Sequence, residues 1–69
     1  MNGYEELANA IILQAVSDYR TAKRKLKKHP DNKKAKFRLK DCELFFQSKW
    51  FEVLTPIDGQ MLLKKLKEE

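Results

Sequence analysis

The sequence predicts a small all-α fold, a bundle of three to four helices in which a long first helix forms an antiparallel hairpin with the second. Three observations carry this expectation. Only four of the 69 residues are Gly or Pro, so long uninterrupted segments must be joined by short connections. Apolar residues recur at alternating spacings of three and four, the helical period. The breaks at His29-Pro30-Asp31-Asn32, Ser48 and Thr55-Pro56 all carry residue types that stop or start helices. Residues 1–69 therefore read as a single helical domain.

The first helix is expected from about Tyr4 to Lys28, with Ala8, Ile12, Ala15, Tyr19, Ala22 and Leu26 on its buried stripe and Leu7, Ile11 and Val16 widening it. Asn2 is its expected cap, with Glu5 three residues on as in a capping box. At 1.5 Å per residue this helix spans roughly 37 Å, long for so small a domain. Pro30 disfavours helical geometry in the residue before it and is welcome in the first turn of a new helix. A second helix is expected from Pro30 or Asn32 to Gln47, with Ala35, Leu39, Cys42 and Phe46 inward. Ser48 caps a short helical turn, Lys49 to Leu54, that presents Trp50, Phe51, Val53 and Leu54. Thr55, Pro56 and Asp58 supply a hydroxyl cap, a proline at the first position and an acid at the third, placing a last helix from about Pro56 to Lys67 that buries Ile57, Met61, Leu62 and Leu66. Gly59 inside that helix costs about 1 kcal/mol relative to Ala. It marks either close approach of another backbone or an unoptimised surface position.

Size and composition narrow the function. A chain this short buries only about 60% of its unfolded surface, and a core of this size rarely supplies more than roughly 3 to 5 kcal/mol without disulfides, metal or a partner. One Cys allows no internal disulfide, and one Cys with one His builds no zinc site. Cys42 falls on the buried face of helix two, and His29 sits at a helix end. No Ser, His and acid set, no Gly-rich phosphate loop and no paired carboxylates in contrasting environments are present. The expectation is a non-enzymatic protein with no catalytic residue, cofactor or metal. Glu5 and Glu6 stand where a signal peptide carries positive charge, and the apolar run Ala10 to Leu13 is too short for its core. With no run near the roughly 18 apolar residues of a membrane span, a cytoplasmic, membrane-free protein is expected.

The blocks ANAIILQAVSDYR, HPDN and FFQSKWFEVLTPIDGQMLLKKL cover most of the chain. They resemble a group of small proteins encoded by prophages and conjugative elements of Gram-positive bacteria. The likeness is carried most by Phe45, Phe46, Ser48, Trp50, Phe51, Leu54 and Thr55, followed by Ile57, Asp58 and Gly59. The sequence departs from the group at Pro56, where a polar residue is expected. The resemblance implies a mobile-element accessory protein, working in the host cytoplasm if phage-encoded, and carries over no activity.

Charge is the most informative feature. The net +5 divides into +10 between Arg20 and Lys40, where eleven Lys or Arg face one acid, and −5 over the rest, where four basic residues face nine acids. In a hairpin both arms of this run lie at one pole. Cations at the end of helix one complement its dipole, but Lys33, Lys34 and Lys36 open helix two, where the dipole favours anions. A solvated surface does not explain that placement; an anionic partner, nucleic acid or an acidic protein surface, does. The expected contact set is Arg20, Lys23, Arg24, Lys27, Lys28, Lys33, Lys34, Lys36, Arg38 and Lys40. Lys outnumbers Arg eight to three in the run, which points to phosphate contacts more than base reading. The tight Gly-containing turn of a helix-turn-helix is absent.

Phe37, Phe45, Phe46, Trp50 and Phe51 lie within fifteen residues and are needed mainly for the core. Phe45 and Phe46 are neighbours on a helix and Phe37 lies off the buried stripe, so at least one ring is expected outside. Phe37, Phe45 and Trp50 are accordingly candidates for a protein interface, either to a host protein or between copies. The alternative function is an inhibitor of a host defence or replication factor, anti-CRISPR-like, docking through exposed aromatics. The stripe on helix one would equally serve a homodimer.

Overall fold

The computed structural model describes residues 3–69, the side chains of Tyr4 and Glu5 excepted. Four helices follow in order: α1 (Gly3–Lys28), α2 (Lys33–Phe46), α3 (Lys49–Leu54) and α4 (Gly59–Glu68). The described residues hold no strand. The molecule measures 42 × 20 × 18 Å, its long dimension set by the 26 residues of α1. α1 and α2 form the antiparallel hairpin, and α4 lies against both. The expected cap at Asn2 with Glu5 falls outside the described residues. No described helix is long and apolar enough to cross a membrane.

Local chemistry sets each boundary. Asn32 is extended and its Oδ1 accepts from Ala35 N–H at 3.0 Å, so α2 starts at Lys33 rather than Pro30. Ser48 closes one helix and opens the next: its hydroxyl donates to the Phe45 carbonyl at 2.7 Å and accepts from Phe51 N–H at 3.2 Å. Those two bonds hold Phe46 and Phe51, on successive helices, at one point in space.

The core forms there. Phe51 and Phe46 are essentially inaccessible, and their rings meet edge-on at 5.6 Å. Phe45 packs against Phe51 at 5.7 Å, and Tyr19 reaches Phe46 from α1 at 6.4 Å. Such edge-to-face pairs contribute about 0.5–1.5 kcal/mol each beyond burial. Ile12, Cys42, Leu63 and Leu66 complete the cluster. The stripe of α1 is spent within the chain: Ala8, Ile12, Tyr19 and Ala22 are buried, and Ile11, Ala15, Val16 and Leu26 half-buried. Leu7, expected on its margin, is exposed.

The last helix departs from expectation. Thr55 ends α3 instead of capping α4; its N–H donates to Phe51 O at 3.1 Å and its hydroxyl accepts from Ile57 N–H at 3.3 Å. Pro56 disfavours helical geometry at Thr55, and Thr55 is extended. Asp58 is the true cap, accepting from Gln60 and Met61 N–H. Gly59 then sets the helix's rotation, because its Cα faces the end of α2. A Cβ at this position would lie 1.9 Å from Phe46 O and 3.0 Å from Phe51 Cδ1. With Gly59 inward, Leu62, Leu63 and Leu66 follow inward at helical spacing, while Met61, and Ile57 in the preceding loop, are exposed rather than buried.

Gly59→Ala should therefore destabilise the fold although alanine is the better helix former. The overpacking cost is about 1–3 kcal/mol, a Tm lower by roughly 4–20 °C; an unchanged or higher Tm would show that the backbones do not touch. Burial, then the Glu43 carboxylate, pushes the Tyr19 phenol from 10.0 up to about 12. Folding thus favours the neutral phenol, so its contribution is fully present below the unfolded value and disappears as pH rises from about 10 to about 12. Urea titrations across that window should show a loss in the parent chain that Tyr19→Phe lacks.

Candidate functional site

The basic run converges because its linker is four residues long. His29 O accepts from Asn32 N–H at 3.0 Å, bringing the last turns of α1 beside the first turns of α2. All eleven cations between Arg20 and Lys40 lie on these turns, and every one except the half-buried Lys23 is exposed. Lys25, Lys27 and Lys28 complete the last turn of α1, where the dipole welcomes them. The first turn of α2 holds no acid.

Two of the expected contact residues have structural partners at the C-terminal end of α4, in the helix or in the Glu69 that caps it. Arg20 Nε and Nη2 donate to Glu69 Oε1 and Oε2, both at 2.8 Å, and these bonds hold the Glu69 carboxyl below the usual carboxylate range. Lys23 Nζ donates to the carbonyls of Leu66 at 2.7 Å and Lys67 at 3.1 Å. It thereby satisfies orphan acceptors and meets the negative end of the α4 dipole. Nothing in the sequence pattern pairs Arg20 with Glu69, because the contact depends on where α4 comes to rest. Arg24, Lys27, Lys28, Lys33, Lys34, Lys36, Arg38 and Lys40 make no side-chain hydrogen bond or ion pair among the described residues.

The cations of the run are not on a single face. Arg20, Lys23, Arg24 and Lys27 flank a hollow on the α4 side. On the opposite side Lys25, Lys34 and Arg38 border a second hollow between α1 and α2, with Asp18, Thr21 and Asn32 in its wall. The seam continues past Asp41 and Cys42 to an apolar groove of about 480 Å³ walled by Ile11, Ala15 and Phe45. Burial, reinforced by Asp18 and Asp41, raises the Cys42 thiol, so little of it is thiolate at neutral pH. Among the described residues no three His, Cys, Asp or Glu side chains gather as a metal site requires.

The aromatic candidates divide. Phe37 is 75% exposed and Trp50 59% exposed. Phe45 is not an outward ring: it is half-buried, because its position beside the buried face of α2 lets it pack on Phe46 and Phe51. Of the four apolar residues expected on the short helix, Val53 joins Trp50 on the outer side of α3, whereas Phe51 is buried and Leu54 half-buried.

Compared with protein-family models, with curated proteins and with solved structures, the chain shows no match.

Stability measurements should separate the structural cations from the rest. Lys23→Ala should lower urea stability by about 0.5–1.5 kcal/mol through the lost α4 cap, whereas Lys33→Glu and Lys34→Glu should each raise it by about 0.3–1 kcal/mol by placing anions at the α2 N-terminus. Equal effects at the three positions would remove the distinction.

Proposed function

We propose that this protein is a non-enzymatic, cytoplasmic accessory protein of a phage or mobile element that binds nucleic acid through the pole formed by Arg20 to Lys40. The observation that carries the reading is the unopposed lysine cluster at the start of α2. Lys33, Lys34 and Lys36 open α2 with no acid in its first turn, opposing the helix dipole, and the short linker sets that turn beside the last turn of α1, which carries Lys25, Lys27 and Lys28. Self-repulsion of this kind weakens folding, and an anionic partner relieves it. Eight lysines and three arginines favour backbone phosphates, so binding is weak, salt-sensitive and largely indifferent to sequence. The mobile-element assignment rests on the sequence resemblance alone.

The exposed Trp50 and Val53 favour a second reading. They sit on α3, beyond the end of α2 remote from the hairpin turn. A large ring exposed there suits a protein interface, as in an anti-CRISPR-like inhibitor of a host defence or replication factor, with the lysines serving as a rim.

Affinity for a short duplex should fall roughly 100-fold between about 50 and 200 mM salt if about four phosphates are contacted. Combined Lys25→Glu, Lys28→Glu, Lys33→Glu and Lys36→Glu should abolish it. Absence of binding at low salt, or a flat salt response, defeats the proposal. In the second reading the same reversals only slow association with the protein partner, and Trp50→Ala removes it.

A further inference from the structure

The basic pole contains one side chain that electrostatics does not explain. Phe37 is the most exposed large apolar residue of the described chain, and it lies in the interior of α2 rather than in a loop. Helical geometry places it on the outer crest with Lys33, Lys40 and Leu44, opposite the buried Ala35, Cys42 and Phe46. Neither packing nor helix propensity favours phenylalanine there, since its apolar area stays in water and straight-chain residues form helix more readily.

Its surroundings indicate what the ring would meet. Phe37 walls a hollow of about 530 Å³ with Lys33, Lys34 and Arg38 around the rim. Asp41 and Asp18 line the same hollow. Phosphate is attracted to the rim and repelled from the acids, whereas an uncharged planar group is tolerated inside. A ligand matching both features carries flat π-faced groups on an anionic backbone. In a duplex the base faces are covered by their neighbours and only edges reach the grooves; in a single strand the faces are free to stack on an aromatic ring.

We infer that the pole prefers single-stranded nucleic acid, with a base stacked on Phe37 and the adjoining phosphates on Lys33, Lys34, Arg38 and Lys40. This rests on the nucleic-acid reading above and adds to it the strand state and the stacking residue. Neither hollow nor ring requires any rearrangement of the helices.

Fluorescence anisotropy with an end-labelled mixed-sequence oligonucleotide, single-stranded or annealed to its complement, tests the inference. The single strand should bind more tightly than the duplex. Phe37→Ala should weaken single-strand binding roughly 5- to 100-fold, the range for loss of one stacked base, and leave duplex binding unchanged. Phe37→Trp should retain affinity, whereas Phe37→Leu, apolar but without a π face, should lose it. Thermal unfolding of the variants should stay near that of the parent, since the ring is largely exposed and lies outside the core cluster. Single-strand binding that survives Phe37→Ala while the four Lys→Glu reversals abolish it would overturn the stacking role and spare the basic pole; the ring would then belong to a protein contact. Failure of the parent chain to bind either oligonucleotide at low salt would overturn both readings together.

Discussion

Every helix of this protein meets at the carbonyl end of α2. Phe46 is buried there, Phe51 is brought onto it by the Ser48 hydroxyl, Tyr19 reaches it from α1, and Gly59 rests on its carbonyl. The constraint is steric as much as hydrophobic. A fold with so little interior has no second cluster to absorb an error, so the absence of one Cβ at residue 59 decides how α4 is rotated and which of its leucines are inside.

Placing the core at that junction has a consequence for the other end. The hairpin tip holds little besides Ala22, Ala35 and half-buried Leu26 and Leu39 between its helices, and its surface is almost wholly cationic. Only Arg20 and Lys23 are drawn back into the structure, where they hold the end of α4. The run is thus divided: two cations on the α4 side of α1 fasten the end of that last helix, and the others, Lys40 beside the core included, are exposed and make no side-chain hydrogen bond or ion pair among the described residues. Stability and charge are segregated along the long axis, so substitutions that unburden the tip need not disturb the aromatic cluster.

Much of this organisation was legible in the sequence, for physical reasons that differ by element. The hairpin was legible because Pro30 and Asn32 act locally, and the polarity of the pole because a four-residue linker brings the two arms together whatever else the chain does. Ser48 was legible as a stop and restart because both its hydrogen bonds lie within three residues. Thr55-Pro56 misled because a hydroxyl before a proline looks alike at the end of one helix and the start of another; only the hydrogen bonds it finds distinguish them. Ile57 and Met61 were misplaced because rotation of α4 is decided by a contact thirteen residues away in sequence, between Gly59 and Phe46. Phe37 and Phe45 show the same limit within the candidate site. Phe45 flanks the apolar stripe of α2 and is covered because α3 folds back over it, whereas Phe37 lies on the opposite crest of the helix and stays exposed.

The short linker at residues 29–32 also bears on how the chain reaches this structure. Closing a loop of four residues costs little conformational entropy, and the contacts it brings together are near in sequence, so the hairpin is kinetically accessible early. The core cluster draws on segments as far apart as Ile12 and Leu66 and is completed only when α4 docks. Besides conformational entropy, repulsion between two lysine-rich arms opposes the early step, and counterions screen it within about 10 Å at 0.1 M ionic strength. The segment that carries the charge is therefore also the one with the most local contacts, so screening by salt eases its closure.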